Sequence, residues 1–402
     1  MVIFCLLGAP LISQFGVKPI LVGGCVGYPI YAGALYYNSI TQSDAFLIVG
    51  GLLCGISAGL FWASEGTIFT SYPSDAQRGK YLAYWSLCKN FGPMIGGMVN
   101  LGLNVHTRNG SSTNPKVFIV FTALMAFGCI LTLLFPTKVF RHDGSQVMLQ
   151  RSRGFFKEIS NTLKVFLDLR VILLLPFFFF SYFYYAYQSN YLATYFNIRT
   201  RAFSSLLSPL GAIISSYLMG FYLDSQKWSE RSKGLIMLVI VFIFQMGLWT
   251  WISILRSIYG DNASIGIDWT DGMHFNRTYP VAFFMNFVGQ GTQNYLYWVV
   301  GHFAFSVNNV SSYVGVLRSI EALGQTVAWA ITETSSTTSP VSIYINFIGL
   351  FISIIISIPV IMKLSYESKE KEEIDINENG SSTPTLSLEK ELEANNNITT
   401  QK

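Results

Sequence analysis

The sequence predicts an all-α protein that crosses a membrane many times: a polytopic transmembrane helical bundle in two groups of about five to six helices. Three observations predict it. Only 12% of the 402 residues are charged, against roughly a quarter in ordinary soluble domains, too few to cover a water-facing surface. Apolar runs of about twenty residues recur along the chain, the length that spans ~30 Å of hydrocarbon. Many of the charges fall between Lys138 and Arg170 and in the stretch after Glu367, so what lies between is compatible with lipid.

Taken in order, Val2 to Phe15 is apolar but too short to span, and it lacks the positive flank of a secretory signal, so it reads as half a helix. Near-spanning runs follow at Pro19 to Tyr37, Ala45 to Ser64, Lys80 to Leu103, Val117 to Phe135, Val171 to Ala193 and Phe203 to Leu223. Gly234 to Ser257, Val281 to Val300, Tyr313 to Thr332 and Val341 to Met362 complete the set. Backbone polar groups in lipid need partners within the segment, so each run must be a helix; the alternating period of a barrel is absent. The basic, polar stretch 137–170 divides the spans into an N-terminal bundle, 1–136, and a six-helix C-terminal bundle, 171–363. Residues 364–402 hold almost no large apolar side chains and are expected to form a disordered cytosolic tail, either plainly solvated or phosphorylated at Thr383.

Thirteen lysines and arginines fall in one set of alternate loops, against six in the other set: Arg108, Lys116, Arg199, Arg201, Arg256 and Arg277. The first set is therefore expected to face the cytosol. The sequons headed by Asn109, Asn262 and Asn276 fall in loops assigned outside and are glycosylation candidates, although Asn309, Asn379 and Asn397 head others on the cytosolic side. The membrane is either the plasma membrane or an endomembrane. A net charge of +4 without a basic, aromatic-interleaved stripe argues against a nucleic-acid partner. The five cysteines are odd in number, lie in apolar runs and show no paired spacing, so free thiols are expected.

No catalytic triad, metal cluster or phosphate loop stands out; the four histidines are scattered, and neither catalytic residues, metal nor cofactor is expected. Polar groups inside the spans are the better lead, because each ionisable residue at membrane depth costs at least ~2.5 kcal/mol unless it faces a partner or cavity. Lys89 and Asn90 lie mid-span, too deep to snorkel. Asn286, Gln290, Gln293 and Tyr297 follow helical steps, with Asn294 beside them, forming a ladder that either lines a translocation cavity or bonds neighbouring helices. Arg318 and Glu321 stack three apart, with Gln325 four beyond, as a local ion pair or a transport element. Glu65, near the cytosolic end of its span, is either a gate partner of Arg78 or a solvated carboxylate. Tyr187, Gln188 and Tyr191 suit either an aromatic site wall or an interfacial belt.

Three stretches carry a resemblance: Gly55-Ile-Ser-Ala-Gly59-Leu-Phe-Trp62-Ala-Ser-Glu65-Gly66, then Arg78-Gly79-Lys80-Tyr81, then Tyr313-Val-Gly315-Val-Leu-Arg318-Ser-Ile-Glu321-Ala-Leu-Gly324 with Trp329. Together they resemble the uncoordinated-93-like branch of the major facilitator superfamily, from Met1 to about Met362. Ala9-Pro-Leu11-Ile-Ser13-Gln-Phe-Gly16-Val-Lys18 is similar to that superfamily's first cytosolic signature, with Ser13 where an acidic residue is usual. Gly220-Phe-Tyr-Leu223-Asp224 is similar to its second-half copy, which makes Asp224 a further gate candidate. The resemblance implies twelve helices, so the first helix and the start of the second are expected to be lacking. It also implies either of two functions. One is a secondary transporter of a small polar solute or ion. The other is a non-transporting regulatory or trafficking partner of another membrane protein. In both, the lipid bilayer is the surrounding partner.

Overall fold

The computed structural model describes residues 1–73, 77–104, 116–136, 139, 154–260, 266–303, 307–334 and 340–380. Among these residues it is helical with a single isolated bridge, Phe196 to Ile267. The first half holds α1 (Val2–Phe15), α2 (Val17–Cys25), α3 (Gly27–Thr41), α4 (Asp44–Ser71), α5 (Arg78–Asn104) and α6 (Lys116–Leu133). The second holds α8 (Leu169–Ser181), α9 (Tyr184–Tyr195), α10 (Ile198–Leu223), α11 (Glu230–Tyr259), α12 (Met273–Phe303), α13 (Val307–Thr334) and α14 (Pro340–Gly380), after the linking α7 (Phe155–Val165).

Every expected run falls within one of these helices or a consecutive pair except Val117 to Phe135, which runs two residues past the end of α6. Val17–Thr41, Asp44–Ser71, Leu169–Tyr195, Ile198–Leu223, Glu230–Tyr259 and Pro340–Leu364 are long and apolar enough to cross a membrane. Helices α5, α12 and α13 are as long but more polar, and they carry Lys89, Gln290, Gln293, Asn294, Arg318 and Glu321. The chain is a multi-pass integral membrane protein.

Two regions differ from expectation. The stretch between the bundles is more than a polar connector: Thr162 and Val165 recur on one side of α7 and are buried, and α7 packs on α1 and α13, with Thr162 Oγ1 3.2 Å from Ser312 Oγ. Helix α14 also continues to Gly380, into the segment expected to lack order. Its Glu- and Lys-rich sequence extends an existing helix, which avoids the cost of nucleation. Residues 381–402 lie outside the described residues, as do Asn109 and Asn262. Asn276 is exposed in the first turn of α12. All five cysteines are free thiols, Cys5 and Cys25 being buried.

Helices α1 to α4 and α6 pack among themselves, as do α8 and α10 to α14; the two groups meet where α5 lies along α10 and where α1 and α4 lie along α13. Small residues permit the first of these contacts. A Cβ at Gly97 would fall 2.6 Å from the Ser205 carbonyl, and one at Gly79 would fall 2.7 Å from the Gly220 oxygen. With lipid outside, close van der Waals approach of this kind is what holds helices together.

Candidate functional site

Helix α4 directs Trp62 and Glu65 toward α13, where Gly66 removes the side chain that would obstruct approach: a Cβ there would lie 2.5 Å from Val314 Cγ1. Helix α5 contributes Trp85 and Lys89, four apart on one face. Helix α12 contributes Gln293 and Tyr297 with the same spacing, and α13 contributes Arg318 and Glu321. These side chains meet between the two groups of helices. Lys89 Nζ donates to Gln293 Oε1 at 2.8 Å and sits 4.6 Å from the centre of the Trp85 ring. Trp85 Nε1 donates to Glu65 Oε1 at 2.7 Å. Arg318 Nη1 donates to Glu321 Oε2 at 2.8 Å, and its guanidinium lies over Trp62 at 4.7 Å and Tyr297 at 5.0 Å. Glu321 Oε1 also accepts from Ser181 Oγ and Gln293 Nε2.

The cluster thus holds two cations and two carboxylates, formally neutral together. Desolvating a charge costs several kcal/mol unless it is paired and hydrogen-bonded, so this balance is what allows Arg318 and Glu321 to be buried and Lys89 and Glu65 to be half-buried beside them. Charge-assisted bonds and aromatic faces satisfy much of it, but not all. Arg318 Nε and Nη2, Glu65 Oε2 and the Tyr297 hydroxyl are sealed from solvent and have no hydrogen-bond partner among the described residues.

The residues singled out by sequence separate into three sets. Lys89, Gln290, Gln293, Asn294, Tyr297, Arg318, Glu321 and Glu65 are brought together; Gln290 Nε2 donates to Asn294 Oδ1 at 2.8 Å, and Asn294 donates to Ser216 Oγ of α10. Asn90 and Asn286 instead bond backbone carbonyls of their own helices, at Ser86 and Ala282, and Gln325 makes no hydrogen bond among the described residues. Arg78 and Asp224 lie at the helix ends, where α5 begins and α10 stops. There Asp224 accepts from the backbone amides of Gly79 and Lys80, each at 2.7 Å, and Arg78 is buried beside Gly301. Glu65 matches neither alternative expected of it, a gate partner of Arg78 or a solvated carboxylate: the helix runs on to Ser71, which sets Glu65 deeper, with Trp85 as its donor and Arg318 and Lys89 as its charged neighbours.

Comparison with known proteins places the arrangement. The Major Facilitator Superfamily model matches residues 1–329. The chain belongs to the major facilitator superfamily. It is 30% identical over 338 residues to UNC93-like protein 1 of Arabidopsis thaliana, covering 82% of this chain and 73% of that one, which places it in the UNC93-like branch. It is 33% identical over 351 residues to the notoamide biosynthesis cluster protein O' of Aspergillus versicolor, covering 86% and 76%. Among solved structures, the transporter FucP in its outward conformation aligns with a TM-score of 0.60 at 11% identity, covering 90% of this chain and 86% of that one. The proton:xylose symporter XylE aligns at 0.57 and 13%, covering 90% and 83%. At such identities the likeness is one of fold, and the fold is the superfamily's.

Within this superfamily fold, sequence reasoning missed several members of the cluster. Ser181 and Tyr182 reach it because the expected single span Val171 to Ala193 is broken into α8 and α9 at Tyr182 and Phe183, which leaves Ser181 beside Glu321 and the Tyr182 ring 5.7 Å from Lys89 Nζ. The only advance signal is a run of aromatic residues with weak helix preference. Trp62 and Trp85 read as ordinary apolar residues until their cationic neighbours are known. Tyr187, Gln188 and Tyr191 form neither belt nor site wall: they are buried within the C-terminal group, where Tyr191 donates to the Thr278 carbonyl at 2.8 Å and Gln188 to that of Ala282 at 3.1 Å.

Proposed function

We propose that the chain is a secondary transporter working by alternating access, which carries a small polar solute or ion past the cluster of Lys89, Glu65, Arg318 and Glu321. The observation that supports this most directly is that one sequestered polar cluster is shared by both groups of helices, with Lys89 of α5 reaching Gln293 of α12. A purely structural seam in lipid is built more cheaply from small apolar residues, as α5 and α10 are, so four ionisable groups at this depth call for another reason. Their bonds across the seam are of the kind a polar solute can replace one for one. Rocking of the two groups about such a site is how this fold alternates access. In this reading the C-terminal tail lies in the cytosol, at the plasma membrane or an endomembrane.

The experiment compares the solute content of cells with and without the expressed chain, then repeats it with Lys89→Ala. The expected result is a solute difference that the variant abolishes at unchanged surface abundance. An undiminished difference would remove Lys89 from the site. The second reading is a non-transporting partner of another membrane protein. It is favoured by the internal neutrality of the cluster, which lets it serve as fixed glue; a stoichiometric membrane-protein partner on purification, with no solute difference, would select it.

A further inference from the structure

Arg318 directs one guanidinium nitrogen, Nη1, at Glu321, while its Nε and Nη2 have no hydrogen-bond partner among the described residues although the residue is only 5% exposed. Those two nitrogens form one edge of the planar fork, the edge that matches the two oxygens of a carboxylate. Glu65 has the complementary vacancy: Oε1 is held by Trp85, and Oε2 has no partner. The two side chains influence each other electrostatically, yet among the described residues the ion pair of Arg318 is with Glu321 and not with Glu65. Between a pair of donors on α13 and an acceptor on α4 there is therefore an unmet requirement for both an anionic acceptor and a cationic donor. The four charged groups around it already sum to zero. A solute of net charge would bring an uncompensated charge into a largely buried site, whereas a molecule with both charges would not.

Building on the transport reading, we infer that the solute is a small zwitterion, its carboxylate on the Nε and Nη2 edge of Arg318 and its ammonium on Glu65 Oε2 against the Trp62, Trp85 and Tyr297 rings. Aromatic faces that already hold Lys89 and Arg318 suit an ammonium equally. Because Arg318 and Glu65 belong to different groups of helices, a bound zwitterion ties the groups together, and its binding favours the closed arrangement.

The test uses the full-length protein in lipid nanodiscs and follows its thermal unfolding with three probes: L-alanine, the monocation alaninamide and the monoanion N-acetylalanine. L-alanine is expected to raise the unfolding temperature, and each singly charged analogue to need a concentration roughly tenfold higher or more, the loss of one charge-assisted contact. Glu65→Gln is expected to weaken L-alanine while sparing N-acetylalanine, so that the two converge; Arg318→Lys is expected to weaken L-alanine and N-acetylalanine but not alaninamide. Equal potency of the three probes, no shift with any of them, or an equal loss of all three in Glu65→Gln overturns the inference. Should Arg318→Lys fail to fold, Glu65→Gln alone decides. Flux of some other solute without an L-alanine shift would sink this assignment and keep the transporter; an L-alanine shift without flux of any solute would do the reverse.

Discussion

The two groups of helices are joined in two different ways, and the contrast is instructive. Along α5 and α10 the contact is backbone against backbone, with Gly79 facing Gly220 and Gly97 facing Ser205. Around α4, α12 and α13 the contact is made by long side chains carrying charge: Lys89, Glu65, Arg318 and Glu321. The first seam is stiff, since a packed backbone has one arrangement and gains nothing from water. The second is costly to build and easy to exchange, because every bond in it has an equivalent with water or a polar solute. A protein that rocks needs both a fixed line of contact and a replaceable one.

The comparison predicts that the stiff seam is the less forgiving. Gly79→Val places a Cβ 2.7 Å from both the Gly220 oxygen and Asp224 Oδ1, and neither backbone can retreat without parting the helices. Loss of the folded monodisperse protein is expected, read by size-exclusion chromatography in detergent; a well-behaved Gly79→Val variant would show that the seam opens more readily than its packing suggests. The charged seam should lose less. Arg318→Gln leaves Glu321 buried without its cation, an expected cost of about 3–5 kcal/mol. Arg318→Met combined with Glu321→Leu should recover most of this, because deleting a buried pair is far cheaper than halving it. Measured unfolding free energies for Arg318→Met, Glu321→Leu and the double variant close the cycle.

How much of this was legible in the sequence follows from the same contrast. The membrane spans are written in composition, since lipid admits few charges and helices alone satisfy their own backbones. The polar residues of the charged seam were legible as violations of that rule: Lys89, Gln293, Arg318 and Glu321 are conspicuous because nothing apolar explains them. What was not legible is which violations converge. Asn90 and Asn286 look the same as Gln293 in sequence, yet their short side chains fold back on their own helices, whereas the longer Gln293 reaches α5 and α13. Ser181 and Tyr182 depend on a break in a helix that only tertiary packing fixes. The stiff seam was least legible, since glycines are common in such helices and only the partner's position gives Gly79 its meaning.

The smallest expected effect contrasts by pH a carboxylate in the stiff seam with one inside the second group of helices, both outside the spans. Asp224 caps the start of α5 in the stiff seam. Its burial there raises its pKa, and the bonds from Lys80 and Gly79 only partly offset this. Asp168, just before α8, accepts from Arg170 and from the Tyr313 hydroxyl of α13 at 2.7 Å; burial acts against ionisation there too, but these bonds outweigh it and the pKa is lowered. A carboxyl raised in the folded state supports folding fully below the ordinary value near 4, and that support fades as pH rises through the raised value. A lowered one supports folding above about 4 and loses that support as pH falls. Relative to the parent protein, Asp224→Asn should therefore improve in unfolding temperature as pH rises from about 4 toward 6, while the deficit of Asp168→Asn should shrink as pH falls below about 4. Tyr313→Phe should show a shallower version of the Asp168→Asn trend, since it removes one of several bonds, worth roughly 1 kcal/mol. Parallel pH profiles for Asp224→Asn and Asp168→Asn would mean that the two carboxylates share one environment, and the stiff seam would not be set apart from the interior of the second group.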